Sequence, residues 1–487
     1  MPEAPTPLPS PPLPNPPLAN PLLATTVTTL DQVLATAQVG SRLPSVVAGI
    51  VRDGELVWTG GRGTTIRAAG GVGAESASPT PQTQYRIGSI TKSFVAAGVV
   101  RAREDGLVDL DDPIGAHLPE LSGELGRRSV GQFLGQAAGI QAETDGPWWE
   151  RTPGGDWRQL AGILGDSALR HRAGVRFHYS NLGFAVLGEL LGRVRDSTWH
   201  EVVAEQFLVP LGMTRTSLRP DGSAAQGFAV HPWADVVLPE PEHDAGAMAP
   251  AGQLWSSVSD LARWAGVVAG RSGVLQPASV ELMREAQVVD DARGAGWSTG
   301  YGLGLQLWNT NGRRYAGHSG SMPGFVAMLR VDIATADAVL AMTNSTTGFG
   351  DLPVRLLQAF SDAEPAMPQP WRPQAVPSDV LELVGPWYWG PTPLAIRAGA
   401  DATLELTGLA GRARASRFVR THTSGGESAW RGLDNYYAGE LLRPVRGGDG
   451  SVSHLDLASF RLTRTPYDPD ADVPGGVHPD GWGPVPS

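Results

Sequence analysis

Ser89 and Lys92 stand three positions apart in Gly88-Ser89-Ile90-Thr91-Lys92-Ser93-Phe94, with Ile90, Phe94 and Ala97 at helical apolar spacing. Residues three apart share a helix face, so a hydroxyl and an amine placed this way can meet. That pairing suits nucleophilic catalysis, because a serine is a weak nucleophile until a nearby base takes its proton. Lys92 is the only lysine in the chain; every other Lys/Arg position is arginine. Arginine stays protonated in proteins, whereas burial drives a lysine toward the neutral amine. Gly88 and Ser89 are expected to open the helix, where the positive end of its dipole would stabilise a developing alkoxide.

Two further clusters carry chemistry-bearing side chains: Tyr179-Ser180-Asn181 and His318-Ser319-Gly320. Alone, the first would serve as a helix cap with a packed ring and the second as a turn. Ser319 and Ser321 sit in no Gly-x-Ser-x-Gly frame, which sets aside an α/β-hydrolase elbow. His200-Glu201 starts like a zinc-protease helix, but Ala204 occupies the second ligand position. Asp109, Asp111 and Asp112 precede Pro113 and lack the rest of a calcium loop, so they are assigned to a turn. With no cysteine, thiolate metal sites, disulfides and cysteine catalysis are excluded. The net charge of -11 offers no basic face for nucleic acid.

The elements that must position these residues follow from periodicity and turn signals. A helix is predicted over Thr26–Ala37, then a hairpin from Val46–Val51 and Leu56–Trp58 around Asp53-Gly54. Gly60–Thr83 is assigned to a loop that leads to Tyr85-Arg86-Ile87 and the Ser89 helix. Ser129–Leu134 begins a short helix, while Trp148-Trp149 falls in an irregular stretch where the rings pack under a loop or line a pocket. Helices are expected at Leu182–Val194 and Trp199–Phe207, and from a Ser259 cap to Ala269. Tyr301–Leu305 begins a strand-rich section, with strands expected at Arg314–His318, Phe325–Val331 and Ala338–Thr343, followed by a helix near Leu352–Phe360. With the early hairpin, these strands predict one antiparallel sheet built from both ends of a domain.

Composition sets the boundaries. Residues 1–24 are proline-rich and form a disordered tail that cannot build a core. Residues 363–377 form a second proline-rich linker, which separates a domain over 25–362 from short strand-like runs over 378–466. Those runs predict a small all-β barrel-like domain, and 467–487 a flexible tail. No apolar run is long enough to span a membrane and the start lacks the pattern of a signal peptide, so a soluble, cytoplasmic protein is expected. An extracytoplasmic location follows if the true start lies elsewhere.

The order Ser89-x-x-Lys92, Tyr179-x-Asn181, His318-Ser319-Gly320 resembles the serine β-lactamase and penicillin-binding protein superfamily, nearest the class C type with its esterase and D-aminopeptidase relatives. Flanking Asp109–Pro113, Pro210-Leu211-Gly212-Met213 and Gly324-Phe325 agree with it over roughly 27–362. The resemblance implies an α+β fold, an antiparallel sheet flanked by helices with a helical subdomain. It implies Ser89 as nucleophile, Lys92 as the first candidate for base and Tyr179 as proton shuttle, with the share of base work between those two left open. It also implies Asn181 as a substrate-binding residue that bonds the acyl side chain or holds Lys92 in place. The backbone amides of Ser89 and Ser321 would form the oxyanion hole, and His318, Ser319 and Gly320 would face the substrate. Two departures bear on substrate. His318 stands where β-lactamases have lysine, and Gln136-Ala137-Ala138-Gly139 replaces a hydroxyl-bearing motif. A neutral imidazole is a poor anchor for a carboxylate, so the expectation is a serine hydrolase acting on an ester or amide, without metal or organic cofactor. The rival expectations are a β-lactamase or D,D-carboxypeptidase, with a lactam or peptidoglycan substrate, and a non-catalytic binding protein on the same fold. The sequence leaves the oligomeric state open.

Overall fold

β1 (Ser45–Arg52) and β2 (Glu55–Gly63) form the predicted hairpin, and β1 shows how the sheet serves two layers at once. Val46, Ala48 and Ile50 enter one core while Val47 and Val51 enter the other, because successive side chains point to opposite faces. β3 (Val288–Val289), β4 (Thr299–Tyr301), β5 (Gln306–Thr310), β6 (Arg313–Met322), β7 (Phe325–Asp332) and β8 (Ala338–Thr343) complete the sheet. Its order is β2-β1-β8-β7-β6-β5-β4-β3, every pairing antiparallel. Val47 lies opposite Met342 and Ser319 opposite Met328, so strands from both ends of the unit meet in the middle.

This description comes from a computed structural model and covers residues 22–466, apart from 66–76, 293, 295, 366, 368–369, 374, 400–402, 410–413 and 424. The predicted tail at 467–487, most of that at 1–24 and part of the 60–83 loop lie outside the described residues. Two units divide the chain, Met1–Ala366 and Met367–Ser487.

In the first unit, α1 (Ala24–Gly40) covers one sheet face, placing Leu30 and Leu34 against β1. On the other face lie α2 (Thr91–Glu104), α3 (Asn181–Val194) and α4 (Val258–Val268), which share one core. α5 (Leu352–Ala363) joins α1, contributing Leu352, Leu356 and Phe360. α2 and α4 are fastened by Phe94 stacked on Trp264, ring centroids 3.8 Å apart, and by Trp264 Nε1 donating to Ser93 Oγ at 2.8 Å. The aspartates near Pro113 make a turn: Asp111 N donates to Asp109 Oδ1 and Asp109 N to Asp112 Oδ2.

Three details differ from the expectations. β2 runs on through Gly63, because pairing with β1 (Val47 opposite Gly61) outweighs the weak strand preference of its glycines. β5 fills a stretch with no assigned strand, paired to β6 from Arg313 to Gly317. The cap of α4 is Ser257, whose hydroxyl accepts from Asp260 N at 3.3 Å; Ser259 lies inside the helix.

The second unit is a closed barrel of eight strands: β9 (Gly385–Trp389), β10 (Thr392–Ala398), β11 (Leu404–Gly408), β12 (Ser416–His422), β13 (Ser428–Gly432), β14 (Leu441–Arg446), β15 (Val452–Leu457) and β16 (Phe460–Thr463). Tyr388 opposite Thr463 closes the ring, so no strand edge is left unpaired. Trp387, Ile396, Leu406, Phe418, Trp430 and Leu455 are packed together as its core. Among the described residues, no helix is long and apolar enough to cross a membrane.

Candidate active site

Ser89 sits in the single 3-10 turn Gly88–Ile90 that runs directly into α2, so its hydroxyl lies at the helix entrance and remains partly accessible. One turn on, Lys92 is fully buried, its Nζ 2.9 Å from Ser89 Oγ. Nζ also donates to Asn181 Oδ1 and to the Ala251 carbonyl, each at 2.6 Å. Those two oxygens can only accept. They hold both hydrogens of a neutral amine and leave its lone pair for the Ser89 hydroxyl. Burial drives the Lys92 pKa down to about 7, with the Glu143 and Glu150 carboxylates pulling the other way.

Asn181 opens α3 behind the cap Ser180, whose Oγ accepts from Gly183 N at 2.9 Å. Its amide is oriented by a residue that sequence reasoning passed over. Asn181 Nδ2 donates to Glu143 Oε1 at 2.6 Å, which turns Oδ1 toward Lys92. Trp149 Nε1 fixes the other oxygen of Glu143, also at 2.6 Å. Buried Trp149 thus anchors this loop, while Trp148 is exposed and donates to Glu150 at 3.0 Å. The available signal was weak: an acidic residue and two tryptophans in one irregular stretch.

Tyr179 precedes α3, its ring centroid 4.9 Å from Lys92 Nζ. Burial pushes its phenol pKa well above the ordinary value, and a hydrogen bond with Ser89 opposes that shift. Ser89, Lys92, Tyr179 and Asn181 therefore meet at one point.

β6 passes along the Ser89 turn. A Cβ on Gly320 would stand 1.8 Å from the Ile87 carbonyl oxygen and 3.1 Å from Ser89 N. Gly88, at φ +51°, approaches the same strand: its Cβ would lie 2.3 Å from Ser321 N. The glycine at 320 thus serves the fit of strand to turn, and both predicted oxyanion-hole residues belong to that junction. Ser319 bonds away from it, its N and Oγ both donating to Gln306 Oε1, at 2.8 and 3.0 Å.

His318 is wholly buried, and both ring nitrogens are engaged. Nδ1 lies 2.5 Å from the Ser319 carbonyl, which only accepts, so Nδ1 carries the hydrogen. Nε2 then accepts from Tyr301 OH at 2.9 Å. Burial, reinforced by nearby Lys92, lowers the imidazole pKa to about 3. Its side chain faces Tyr301 inside the fold rather than solvent. Among the described residues, no group of three or more His, Asp or Glu is placed to hold a metal.

The antiparallel sheet with helices packed on both faces is the β-lactamase/transpeptidase-like α+β fold, and it carries the Ser89-x-x-Lys92 pair at a helix entrance. The chain belongs to the Beta-lactamase family, whose model matches residues 30–363. Residues 376–464 match a Domain of unknown function (DUF7586). A human beta-lactamase-like 1 protein is 30% identical over 260 residues, 50% of this chain and 49% of its own, so the chain spans about half that relative's length. The octameric penicillin-binding protein homologue from Pyrococcus abyssi superposes with a TM-score of 0.61 at 21% identity, over 90% of this chain and 99% of its own. A D-amino acid amidase from Ochrobactrum anthropi gives 0.59 at 21% identity, over 69% and 99%. At such identities these structures attest the fold.

Proposed function

We propose that this chain is a serine hydrolase whose 25–362 domain cleaves an ester or amide carbonyl through a Ser89 acyl-enzyme. Lys92, as the neutral amine, takes the Ser89 proton while Oγ bonds to the carbonyl carbon. The negative charge moves to the carbonyl oxygen, where the amides of Ser89 and Ser321 donate to it. Lys92 and Tyr179 then pass the proton to the departing alcohol or amine as its bond to the carbonyl carbon breaks. Water, activated by the same pair, releases the acid and restores Ser89. Asn181 holds Lys92 in register throughout. The observation that carries this reading is the contact at 2.9 Å between Ser89 Oγ and a lysine whose pKa is lowered to about 7.

Substrates without an obligatory carboxylate are favoured over penicillin-like ones, since the third motif supplies a neutral, buried His318 in place of a cation. Ser319 and Gly320 contribute to the substrate side through their strand. The family match and the amidase fold support testing amides beside esters.

The test is intact-mass analysis after treatment with a fluorophosphonate. One adduct on Ser89, absent in Ser89→Ala and slowed in Lys92→Arg, is expected. A folded wild-type protein that takes no adduct would move a binding role on the same fold to first place.

A further inference from the structure

A cavity of about 440 Å³ opens between α3 and the 3-10 turn Gly246–Ala251, with Trp157 and Trp199 in its walls. Ser89, Lys92, Tyr179 and Asn181 do not line it, so it is separate from the candidate active site. Its two walls meet at Gly188, where a Cβ would stand 2.1 Å from Pro250 Cγ. Both tryptophans are half-buried. Trp157 is held in place by its Nε1, which donates to Glu120 Oε1 at 2.5 Å.

The charge in the walls is one-sided: Glu189, Asp196 and Asp244 stand against a single arginine, Arg193. That arginine is already engaged, Nη1 and Nη2 donating to Glu120 at 3.0 and 2.9 Å and Nη2 to Glu189 at 2.6 Å. Asp244 accepts from Arg219 at 3.1 Å and from Gly246 N at 2.9 Å. Asp196 is exposed and has no hydrogen-bond or ion-pair partner among the described residues, which leaves its carboxylate open to a ligand. The hydroxyls in the walls are committed elsewhere: Ser197 Oγ and Thr198 Oγ1 both donate to Glu201 Oε2, at 3.0 and 2.8 Å. Burial lowers the His200 pKa, with Glu201 opposing, so the imidazole adds no cation at neutral pH.

We propose that this cavity binds a small organic cation, an ammonium group on a compact apolar body, its charge toward Asp196 and its body against Trp157 and Trp199. A tryptophan face attracts a cation through its ring quadrupole and offers an apolar body a large contact area. An anion would meet carboxylates and no unpaired cation among the described lining residues. A metal ion needs convergent ligands, and no group of three or more His, Asp or Glu is placed to hold one among the described residues. A neutral apolar molecule would use the rings and leave Asp196 unanswered. The volume lies within the range of small-molecule sites.

Calorimetric titration of the full chain at pH 7 with benzylammonium, benzyltrimethylammonium, benzyl alcohol and benzoate tests this. Saturable binding of at least one of the two cations is expected, with the alcohol and the anion at least about tenfold weaker. Trp199→Leu, which keeps an apolar side chain and loses the ring face, should weaken cation binding about tenfold or more. Asp196→Asn should weaken it separately, by about threefold or more, and decides the matter if Trp199→Leu does not fold. A cation held at the Ser89 site instead would be indifferent to both substitutions. Three results overturn the proposal: no saturable binding of either cation to the wild type, benzyl alcohol or benzoate binding as tightly as the cations, or wild-type affinity in the folded variants.

Discussion

The acylation rate of Ser89 should climb with pH through neutrality, and that climb should belong to Lys92. Its pKa falls from 10.5 to about 7, because the ammonium is wholly buried one turn from the serine. With that value the neutral amine makes up about 1% of the population at pH 5, about half at pH 7 and about 90% at pH 8, a rise of about 90-fold. A lysine with the ordinary pKa would be only about 0.3% neutral at pH 8 and would still be climbing near pH 10. The assay is the rate of adduct formation with a fluorophosphonate across pH 5–9, with reagent stability measured in parallel. Lys92→Arg holds a permanent charge, so its profile should be flat and its rate lower by about 10²–10⁴. The same shift has a sign in stability. Between about pH 7 and 10.5 the unfolded chain holds a proton on Lys92 that the folded chain does not, so stability rises with pH across that window. The total is on the order of 5 kcal/mol, from 3.5 pKa units at 1.36 kcal/mol each, and Lys92→Met should abolish it. A wild-type labelling rate that is level from pH 5 to 8, or an equal climb in Lys92→Arg, would refute the assignment of Lys92 as base.

Glu143→Gln removes a carboxylate that raises the Lys92 pKa, so the ascending limb of the labelling profile should move to lower pH while the protein stays folded; a limb that stays put would show that the loop carboxylate is only a tether. Gly320→Ala places a methyl group 1.8 Å from the Ile87 carbonyl oxygen, where only backbone movement can relieve the clash. Labelling of Ser89 should fall by about 10²-fold or more, as when an oxyanion donor is displaced, and an unchanged rate counts against the junction of β6 with the turn. His318 titrates at about 3 when folded against 6.5 when free. Stability should therefore be full above about pH 6.5 and decline toward pH 3, by up to about 5 kcal/mol from this group. Acid melts of a folded His318→Gln variant should show a shallower decline, and an identical slope would remove His318 from the account.

What the sequence disclosed, it disclosed through local geometry. Ser89 and Lys92 were legible because three residues on a helix face bring side chains together whatever surrounds them. Tyr179 and Asn181 lie 87 and 89 positions from Lys92, so no periodicity joins them to it, and only the family resemblance did. Glu143 escaped both routes, since it stands in an irregular stretch and acts by orienting another side chain. Ser257 and Ser259 are equally good caps on paper; the backbone, extended at Ser257, chose between them. β5 was hidden because Gly302 and Gly304 interrupt the strand pattern just before it, and a strand's partner is not written beside it. The barrel's short strands were legible from their turn punctuation, whereas closure depends on Tyr388 meeting Thr463, a contact between the first and last strands.

The histidine of the third motif is best understood through the lysine of the first. Both are wholly buried, and each as a cation would disfavour the other, as the effect of Lys92 on His318 shows. The fold resolves this by fixing one imidazole tautomer, Nδ1–H on the Ser319 carbonyl and Nε2 under the Tyr301 hydroxyl, so that no proton is left to gain near neutrality. Tyr179 and Tyr301 are displaced in the opposite direction by burial and remain protonated. Of these four groups, Lys92 alone changes charge around pH 7, which is the condition for a single amine to act as base beside Ser89. A lysine introduced at 318 would place a second ammonium in the same dry pocket. His318→Lys should therefore lower stability by about 3–5 kcal/mol rather than create a carboxylate anchor. A stable His318→Lys protein with new preference for anionic substrates would show that the pocket tolerates two cations and that this electrostatic reasoning is wrong.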